Sequence, residues 1–91
     1  MTSLEILGYT AACLTTASFL PQAIKVLRTG NTASLSLMMY IVFNLGVFLW
    51  LIYGYLRHDS AIVVANMVTL VLALLILGMK VSNMLKGEKG A

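Results

Sequence analysis

The sequence has very little charge: only 10% of its 91 residues are Asp, Glu, Lys or Arg. A soluble domain carries about 25% charged residues, so this chain cannot cover a water-facing surface of the usual kind. The few charges leave residues 6–24, 29–56 and 60–79 entirely uncharged. Each of these stretches is close to or above the roughly 20 mostly apolar residues that a membrane-spanning helix needs. The sequence therefore predicts an all-α integral membrane protein with three transmembrane helices.

Residues that carry catalysis or bind metals are also scarce. Cys13 is the only cysteine and His58 the only histidine, which excludes an intrachain disulfide and leaves His58 unable to form a metal site alone. The sequence shows no nucleophile–base pair, and we expect no enzyme activity, metal or cofactor. The net charge of +3 does not indicate nucleic-acid binding, because the basic residues flank the apolar stretches instead of forming a patch.

The apolar pattern predicts a single three-helix domain over residues 1–91, with spans at about 4–27, 35–56 and 61–79. The N-terminus lacks the positive segment of a signal peptide, so we interpret the first span as a retained helix. Lys and Arg number two in the first loop, three in the C-terminal segment, one in the second loop and none at the N-terminus. Because basic residues concentrate on the cytoplasmic side, this predicts an external N-terminus and a cytoplasmic C-terminus.

One face of the second predicted helix carries several large side chains. Trp50 lies seven residues before Arg57, about 10 Å deeper in the membrane at 1.5 Å per residue. That is deeper than the interfacial belt where Trp and Tyr usually anchor a helix. The stripe is therefore either a packing face or the wall of a cavity. Its residues are spaced three and four apart, as one helix face requires: Met39, Phe43, Gly46, Trp50, Tyr53 and Arg57.

Two asparagines lie within the predicted spans. An unpaired amide in lipid is costly, so Asn66 must face protein or a wet cavity. It either hydrogen-bonds to another helix or contacts a ligand, since its two donors and one acceptor suit a solute with several hydroxyls. Asn44 lies off the axis of the Trp50 stripe, and we expect it to have an interhelical role.

The dipeptide Pro21-Gln22 interrupts the first predicted helix one turn before Lys25. Proline removes one backbone hydrogen bond and clashes with the preceding turn, which kinks a helix. Gln22 is a local polar group that could satisfy the freed carbonyl. The motif is therefore either a static kink or a hinge.

The interiors of the predicted spans contain no ionisable residue. Proton-coupled carriers generally need one within the membrane, and a charged substrate would need a countercharge. A pathway through this protein would therefore suit a neutral solute and passive transport. A small multidrug exporter, which needs four spans and a buried glutamate, and a proton-coupled small-solute carrier are both disfavoured.

Three helices are too few to enclose a pathway across a membrane. Two copies in the same orientation give a parallel homodimer of 3+3 helices with a central gap, which is an arrangement known among transporters. Trp50 and Asn66 would then each occur twice around that gap. An aromatic face and amides of this kind suit a carbohydrate. The alternative from a different class is a small structural or assembly subunit, in which the stripe binds a larger partner.

Pro21-Gln22, Trp50 and Asn66, in a chain with three predicted spans and a basic first loop, resemble the SemiSWEET group of bacterial half-transporters within the SWEET and PQ-loop family. The resemblance covers nearly the whole chain. It implies a uniporter that moves neutral mono- or disaccharides by alternating access through a homodimer in the bacterial cytoplasmic (inner) membrane. It assigns the sugar site to Trp50 and Asn66, and the hinge to Pro21 and Gln22. It further implies a cytoplasmic gate at Met39 and Phe43, and an extracellular gate at Tyr53, Arg57 and Asp59, the last two pairing across the dimer.

Overall fold

The computed structural model describes residues 2–88, which form three α-helices and no strand. Helix α1 spans Ser3–Thr29, α2 spans Leu37–Leu56 and α3 spans Ser60–Leu85. The predicted all-α architecture with three helices is confirmed.

Each helix begins at a polar side chain that caps its first turn. The Thr2 hydroxyl accepts from the Glu5 backbone N–H, the Ser36 hydroxyl from Met39 and the Asp59 carboxylate from Ile62. Such caps satisfy backbone donors that the helix itself cannot pair. Helix α1 ends at Gly30, whose φ of 70° is a left-handed conformation that favours glycine.

Helix α3 lies between the other two helices. The backbones of α1 and α2 both pack against α3 and not against each other. At the α2–α3 turn, a Cβ added to Gly54 would lie 2.6 Å from the Cγ2 of Ile62. Only glycine permits so close an approach, and this makes the second loop a tight hairpin.

The buried core is small and lies towards the end of the bundle that carries the first loop. It contains Ala23, Tyr40 and Ile76, one residue from each helix. Most of the remaining large apolar side chains are exposed in the isolated protomer. Exposed apolar surface on this scale needs lipid or a protein partner. Partly buried residues packed around the core are Phe19, Val26, Leu27, Leu35, Leu72 and Leu77.

Two of the three helices, α2 and α3, are long and apolar enough to cross a membrane. Helix α1 has 27 residues and is about 40 Å long at 1.5 Å per residue. It is long enough to span, but its polar residues make it less apolar than α2 and α3. Those residues include Thr10, Thr15, Thr16, Ser18 and Gln22.

Helix α3 continues six residues beyond its predicted end at Met79 and includes Lys80, which is fully buried. Helix α3 thus carries a lysine directly after the predicted span of residues 61–79. Because Lys80 lies 20 residues after Ser60, its Cα is about 30 Å along the helix, close to the far edge of a hydrocarbon core. The charge is thus near one end of the helix, well away from its middle.

Candidate functional site

Trp50 presents an aromatic surface on the exposed face of α2. The residue is 56% exposed, and its ring contacts that of Tyr53 edge-on, with centroids 5.4 Å apart and planes at 87°. Gly46 and Leu49 join these two rings in lining an open depression of about 500 Å³. Gly46, Trp50 and Tyr53 thus share one face, as their spacing predicts, and leave Trp50 accessible.

Asn66 lies on α3 at a depth similar to that of Trp50. Each is seven residues from a residue of the second loop, Trp50 from Arg57 and Asn66 from Asp59, or about 10 Å of helix. The Asn66 Nδ2 donates to the Ile62 carbonyl at 2.8 Å. Within residues 2–88, its oxygen and its second N–H make no hydrogen bond. Asn66 does not line the Trp50 depression of its own protomer.

Met39 and Phe43 lie nearer to the first loop on the same helix. Met39 is 53% exposed. The ring of Phe43 lies 6.0 Å from that of Phe19 on α1 and 6.0 Å from that of Tyr40. Phe43 therefore contributes to the only aromatic contact between α1 and α2 in the described part of the chain, while Met39 is free to meet another surface.

Arg57 and Asp59 lie in the short turn between α2 and α3, where both are exposed. The Asp59 carboxylate caps α3 by accepting from the Ile62 N–H at 3.2 Å. In the part of the chain that the structure describes, the two side chains form no ion pair with each other. Their charges therefore remain available to groups outside the protomer.

Pro21 and Gln22 lie in a continuous α1, and both are exposed. Since proline has no N–H, the Ala17 carbonyl loses its usual helical partner. Gln22 forms no side-chain hydrogen bond to a residue between 2 and 88, so it does not replace that partner. Pro21 borders an open groove of about 730 Å³ along α1. The groove is also lined by Ala17, Leu20, Ile24, Lys25, Arg28 and Thr29.

Asn44 lies buried between α2 and α3. Its Nδ2 donates to the Tyr40 carbonyl at 2.7 Å and, across the interface, to the Ala73 carbonyl at 3.4 Å. This agrees with the interhelical role expected from its position off the Trp50 stripe.

A second group of polar residues was not predicted from the sequence. We call Thr32, Lys80, Asn83 and Glu88 the loop 1 cluster, because they join the first loop to the end of α3. Lys80 and Thr32 are completely buried. The Lys80 Nζ forms an ion pair with the Glu88 carboxylate and donates to the Thr32 carbonyl at 2.9 Å.

The electrostatics of the cluster favour ionised Glu88. The hydrogen bond from Lys80 is the largest cause that holds the pKa of the Glu88 carboxyl below its usual range, and it outweighs the opposite effect of desolvation. The Thr32 hydroxyl contributes in the same direction through contacts of 2.8 and 3.1 Å with the two carboxylate oxygens. The cluster is thus a nearly closed set of paired charges and hydrogen bonds.

The sequence did contain one signal for this cluster. Residues 81–85 remain compatible with a helix after Lys80, which places a lysine inside α3. Counted only as a basic residue near the C-terminus, Lys80 indicated topology and not a partner. Thr32 lies 48 residues from Lys80 and 56 from Glu88, and no local pattern links positions so far apart.

The three-helix fold, with its exposed apolar surface and its aromatic and amide groups at one depth, defines a small α-helical membrane protein. The chain belongs to the PQ-loop family, because residues 4–63 match the PQ loop repeat. It is 51% identical over 79 residues to the sugar transporter SemiSWEET of Leptospira biflexa, covering 87% of this chain and 93% of that protein. It is 48% identical to the sugar transporter SemiSWEET of Escherichia coli over 73 residues, covering 80% and 82%.

Solved structures show the same fold. A crystal structure of SemiSWEET in the inward-open conformation matches with a TM-score of 0.91 and 44% identity, covering 94% of this chain and 92% of that one. A bacterial homologue of SWEET transporters matches with a TM-score of 0.78 and 33% identity, covering 89% and 98%. The resemblance to SemiSWEET predicted from Pro21-Gln22, Trp50 and Asn66 is confirmed. Because these relatives are named as transporters, they also agree with the prediction that the chain is not an enzyme.

Proposed function

We propose that the protein is a passive sugar transporter, a uniporter that moves neutral mono- or disaccharides by alternating access through a parallel homodimer. Relatives that are about half identical over most of this chain are named as sugar transporters. Residue-level support comes from the geometry of Trp50 and Asn66.

The single observation that carries the proposal is that an accessible aromatic ring and an amide with unused hydrogen-bonding groups lie at the same depth. The Trp50 ring is accessible from the depression on α2, and aromatic faces pack well against apolar C–H surfaces. The Asn66 amide keeps an acceptor and a donor for hydroxyl groups. Lys80 lies 14 residues further along α3, about 21 Å away along the helix, so no charge on α3 favours an ionic substrate.

The homodimer supplies what one protomer lacks. Asn66 is absent from the Trp50 depression of its own protomer, and a second copy in the same orientation encloses both groups around a shared axis. We assign loop 2 to the outside, and loop 1 and the C-terminus to the cytoplasm of the bacterial inner membrane. Arg57 and Asp59, unpaired with each other within the protomer, then face the same residues of the partner.

The alternating-access cycle assigns roles to the two ends of this path. Met39 and Phe43 narrow the cytoplasmic side, while Tyr53, Arg57 and Asp59 close the external side. Pro21 permits a bend in α1 because the helix lacks one hydrogen bond there. Similarity to a SemiSWEET in the inward-open conformation favours the state with the external gate closed.

The test is downhill flux of radiolabelled sugar into proteoliposomes containing purified protein. Trp50→Ala and Asn66→Ala should each reduce flux about five- to tenfold, since a lost hydrogen bond or ring contact is worth about 1–1.5 kcal/mol. Phe48→Ala removes another half-exposed aromatic ring of α2 that does not line the depression, and it should retain wild-type flux. Equal flux in all three folded variants would show that the site lies elsewhere.

Two further measurements separate this mechanism from the alternatives. A protonophore should leave downhill uptake unchanged, and uptake that needs a proton gradient would indicate a proton-coupled carrier. Cysteines placed at Arg57 or Asp59, in a Cys13→Ser background, should crosslink to the same position of a second copy. Crosslinks exclusively to a different protein would indicate an assembly subunit.

A further inference from the structure

The loop 1 cluster ties the end of α1 and the first loop to the last turns of α3. Thr32 is its centre: its carbonyl accepts from Lys80, its hydroxyl donates to Glu88, and the same hydroxyl oxygen accepts from the Asn83 Nδ2 at 2.8 Å. Asn83 also donates to the Gly30 carbonyl at 2.9 Å. Gly30 is the C-cap of α1, so this hydrogen bond ties the end of α1 directly to α3.

The cluster combines burial with charge, which makes it costly to open. Lys80 is 0% exposed and the Glu88 side chain is 16% exposed. Separating one partner of a buried pair leaves an uncompensated charge and is strongly unfavourable. The opposite end of the α1–α3 pair is held less firmly: its one side-chain hydrogen bond within residues 2–88 is a solvent-exposed bond from the Tyr9 hydroxyl to the Ser60 hydroxyl.

The position of this joint relative to Pro21 decides how α1 can move. Gly30 lies nine residues beyond Pro21, about 13 Å along the helix. On the C-terminal side of Pro21, the end of α1 and the first loop are fixed to α3 through hydrogen bonds to Gly30 and Thr32. A bend at Pro21 must then move the part of α1 before Pro21 relative to a single unit. That unit contains the part of α1 after Pro21, the first loop and the end of α3.

We propose that Lys80, Glu88, Thr32 and Asn83 are positioning residues that form a fixed joint during the transport cycle and confine bending of α1 to Pro21. The inference rests on the proposed function for its link to transport. The joint touches neither Trp50 nor Asn66, so it acts on the rate of conformational exchange and leaves sugar binding unchanged.

The first arm of the test measures distances inside one protomer. Spin labels at Ala33 and Ser82, both exposed, span the joint in a Cys13→Ser background. A second pair, at the native Cys13 and at Arg28, spans Pro21. Labelled protomers are diluted into an excess of unlabelled ones. We expect one narrow Ala33–Ser82 distance with and without saturating sugar, while the Cys13–Arg28 distance changes.

The second arm compares Lys80→Met with Lys86→Met, the same change at an exposed lysine six residues later. Lys80→Met should broaden the Ala33–Ser82 distances and lower the maximal transport rate about tenfold, as expected for a long-range coupling, with an unchanged half-saturating sugar concentration. Lys86→Met should match wild type. If Lys80→Met fails to fold, Glu88→Gln takes its place. It removes the charge and keeps the shape, and it should give a smaller effect of the same kind.

Two results would overturn the fixed joint. One is an Ala33–Ser82 distance that shifts with sugar, which would make the cluster a moving gate. The other is a Lys80→Met or Glu88→Gln protein with broadened distances and wild-type maximal rate, which would leave the cluster only structural. If wild type and Lys86→Met carry no sugar, the proposed function fails, and distances recorded without sugar still decide whether Lys80 holds the joint together.

Discussion

The two ends of the helix bundle differ in how their loops are held and in where their charged residues lie. At the loop 1 end, Gly30 and Thr32 are held by hydrogen bonds from Lys80 and Asn83 of α3, and Lys80 is itself paired with Glu88. At the loop 2 end, only residues 57–59 connect α2 and α3, and their side chains are exposed. At the loop 1 end one lysine, Lys80, is paired inside the protomer, whereas at the loop 2 end Arg57 and Asp59 are exposed and not paired with each other.

This difference indicates where partners act. Lys80 has its countercharge in the same chain, so the loop 1 end needs no second protomer to bury it. Arg57 and Asp59 have no such pairing with each other, and a parallel copy would bring both charges to the same level. The comparison therefore favours a loop 1 end that is rigid within each protomer and a loop 2 end whose charges act between protomers.

The largest expected effect comes from removing the buried lysine. Lys80→Ala leaves Glu88 without its countercharge and the Thr32 carbonyl without a donor, and should cost about 3 kcal/mol of unfolding free energy. Thermal unfolding of the protein in detergent measures this loss. Lys86→Ala, at an exposed position, is the control and should change stability little. Equal unfolding temperatures for the two variants would show that the buried Lys80 pair does not stabilise the loop 1 end.

The second effect tests the tight turn at the loop 2 end. A methyl group at Gly54 would lie 2.6 Å from Ile62 Cγ2 and 2.9 Å from its Cβ, so Gly54→Ala should destabilise by about 1–3 kcal/mol through overpacking. Gly78→Ala adds the same methyl group where no atom lies within 4 Å, and it should be neutral or stabilising. If Gly54→Ala were as stable as Gly78→Ala, α2 and α3 could move apart at this turn without loss of stability.

A third, smaller effect separates the two roles of Asp59. Asp59→Ala removes the cap of α3 and should cost about 1 kcal/mol. Asp59→Asn keeps a good capping group and removes the charge, so its unfolding temperature should stay near wild type. If the charge also serves the external gate, Asp59→Asn should still reduce sugar flux. Wild-type flux in Asp59→Asn would restrict the residue to capping.

The smallest effect is a pH dependence at the loop 1 end. The folded protein holds the pKa of Glu88 below its ordinary value near 4.5. A carboxyl with a depressed folded pKa contributes its full stability above the unfolded pKa and loses it as pH falls towards the folded pKa. Unfolding temperature should therefore decline below about pH 4.5 in wild type, and this decline should weaken in Glu88→Gln. Equal slopes would assign the acid sensitivity to other carboxyls.

Much of the fold follows from local features of the sequence. Three uncharged stretches gave three helices because a continuous helix pairs its own backbone groups in lipid. The end of α1 at Gly30 also has a local cause, since a left-handed C-cap favours glycine. The three-and-four spacing placed Gly46, Trp50 and Tyr53 on one face. These features depend on residues within one or two turns of each other.

The remaining features depend on contacts between distant parts of the chain. The sequence placed the end of the third helix near Met79, whereas α3 runs through Lys80 to Leu85, because Glu88 and Thr32 compensate the lysine charge. The order of the helices, with α3 between α1 and α2, also had no local signal. Neither Gly54 nor Ile62 indicates alone that the Ile62 side chain packs against the backbone of Gly54.

The sequence by itself determined the helices, the PQ-loop family resemblance and the candidate residues, because hydropathy, caps and motifs act over short distances. Only the tertiary structure decided that Asn66 is absent from the Trp50 depression of its own protomer and that Lys80 is buried with a partner. The physical reason is the same in both cases: burial and pairing depend on which residues the fold brings together across tens of positions. Charge alone marked Lys80 as a topology signal, and packing made it part of a joint.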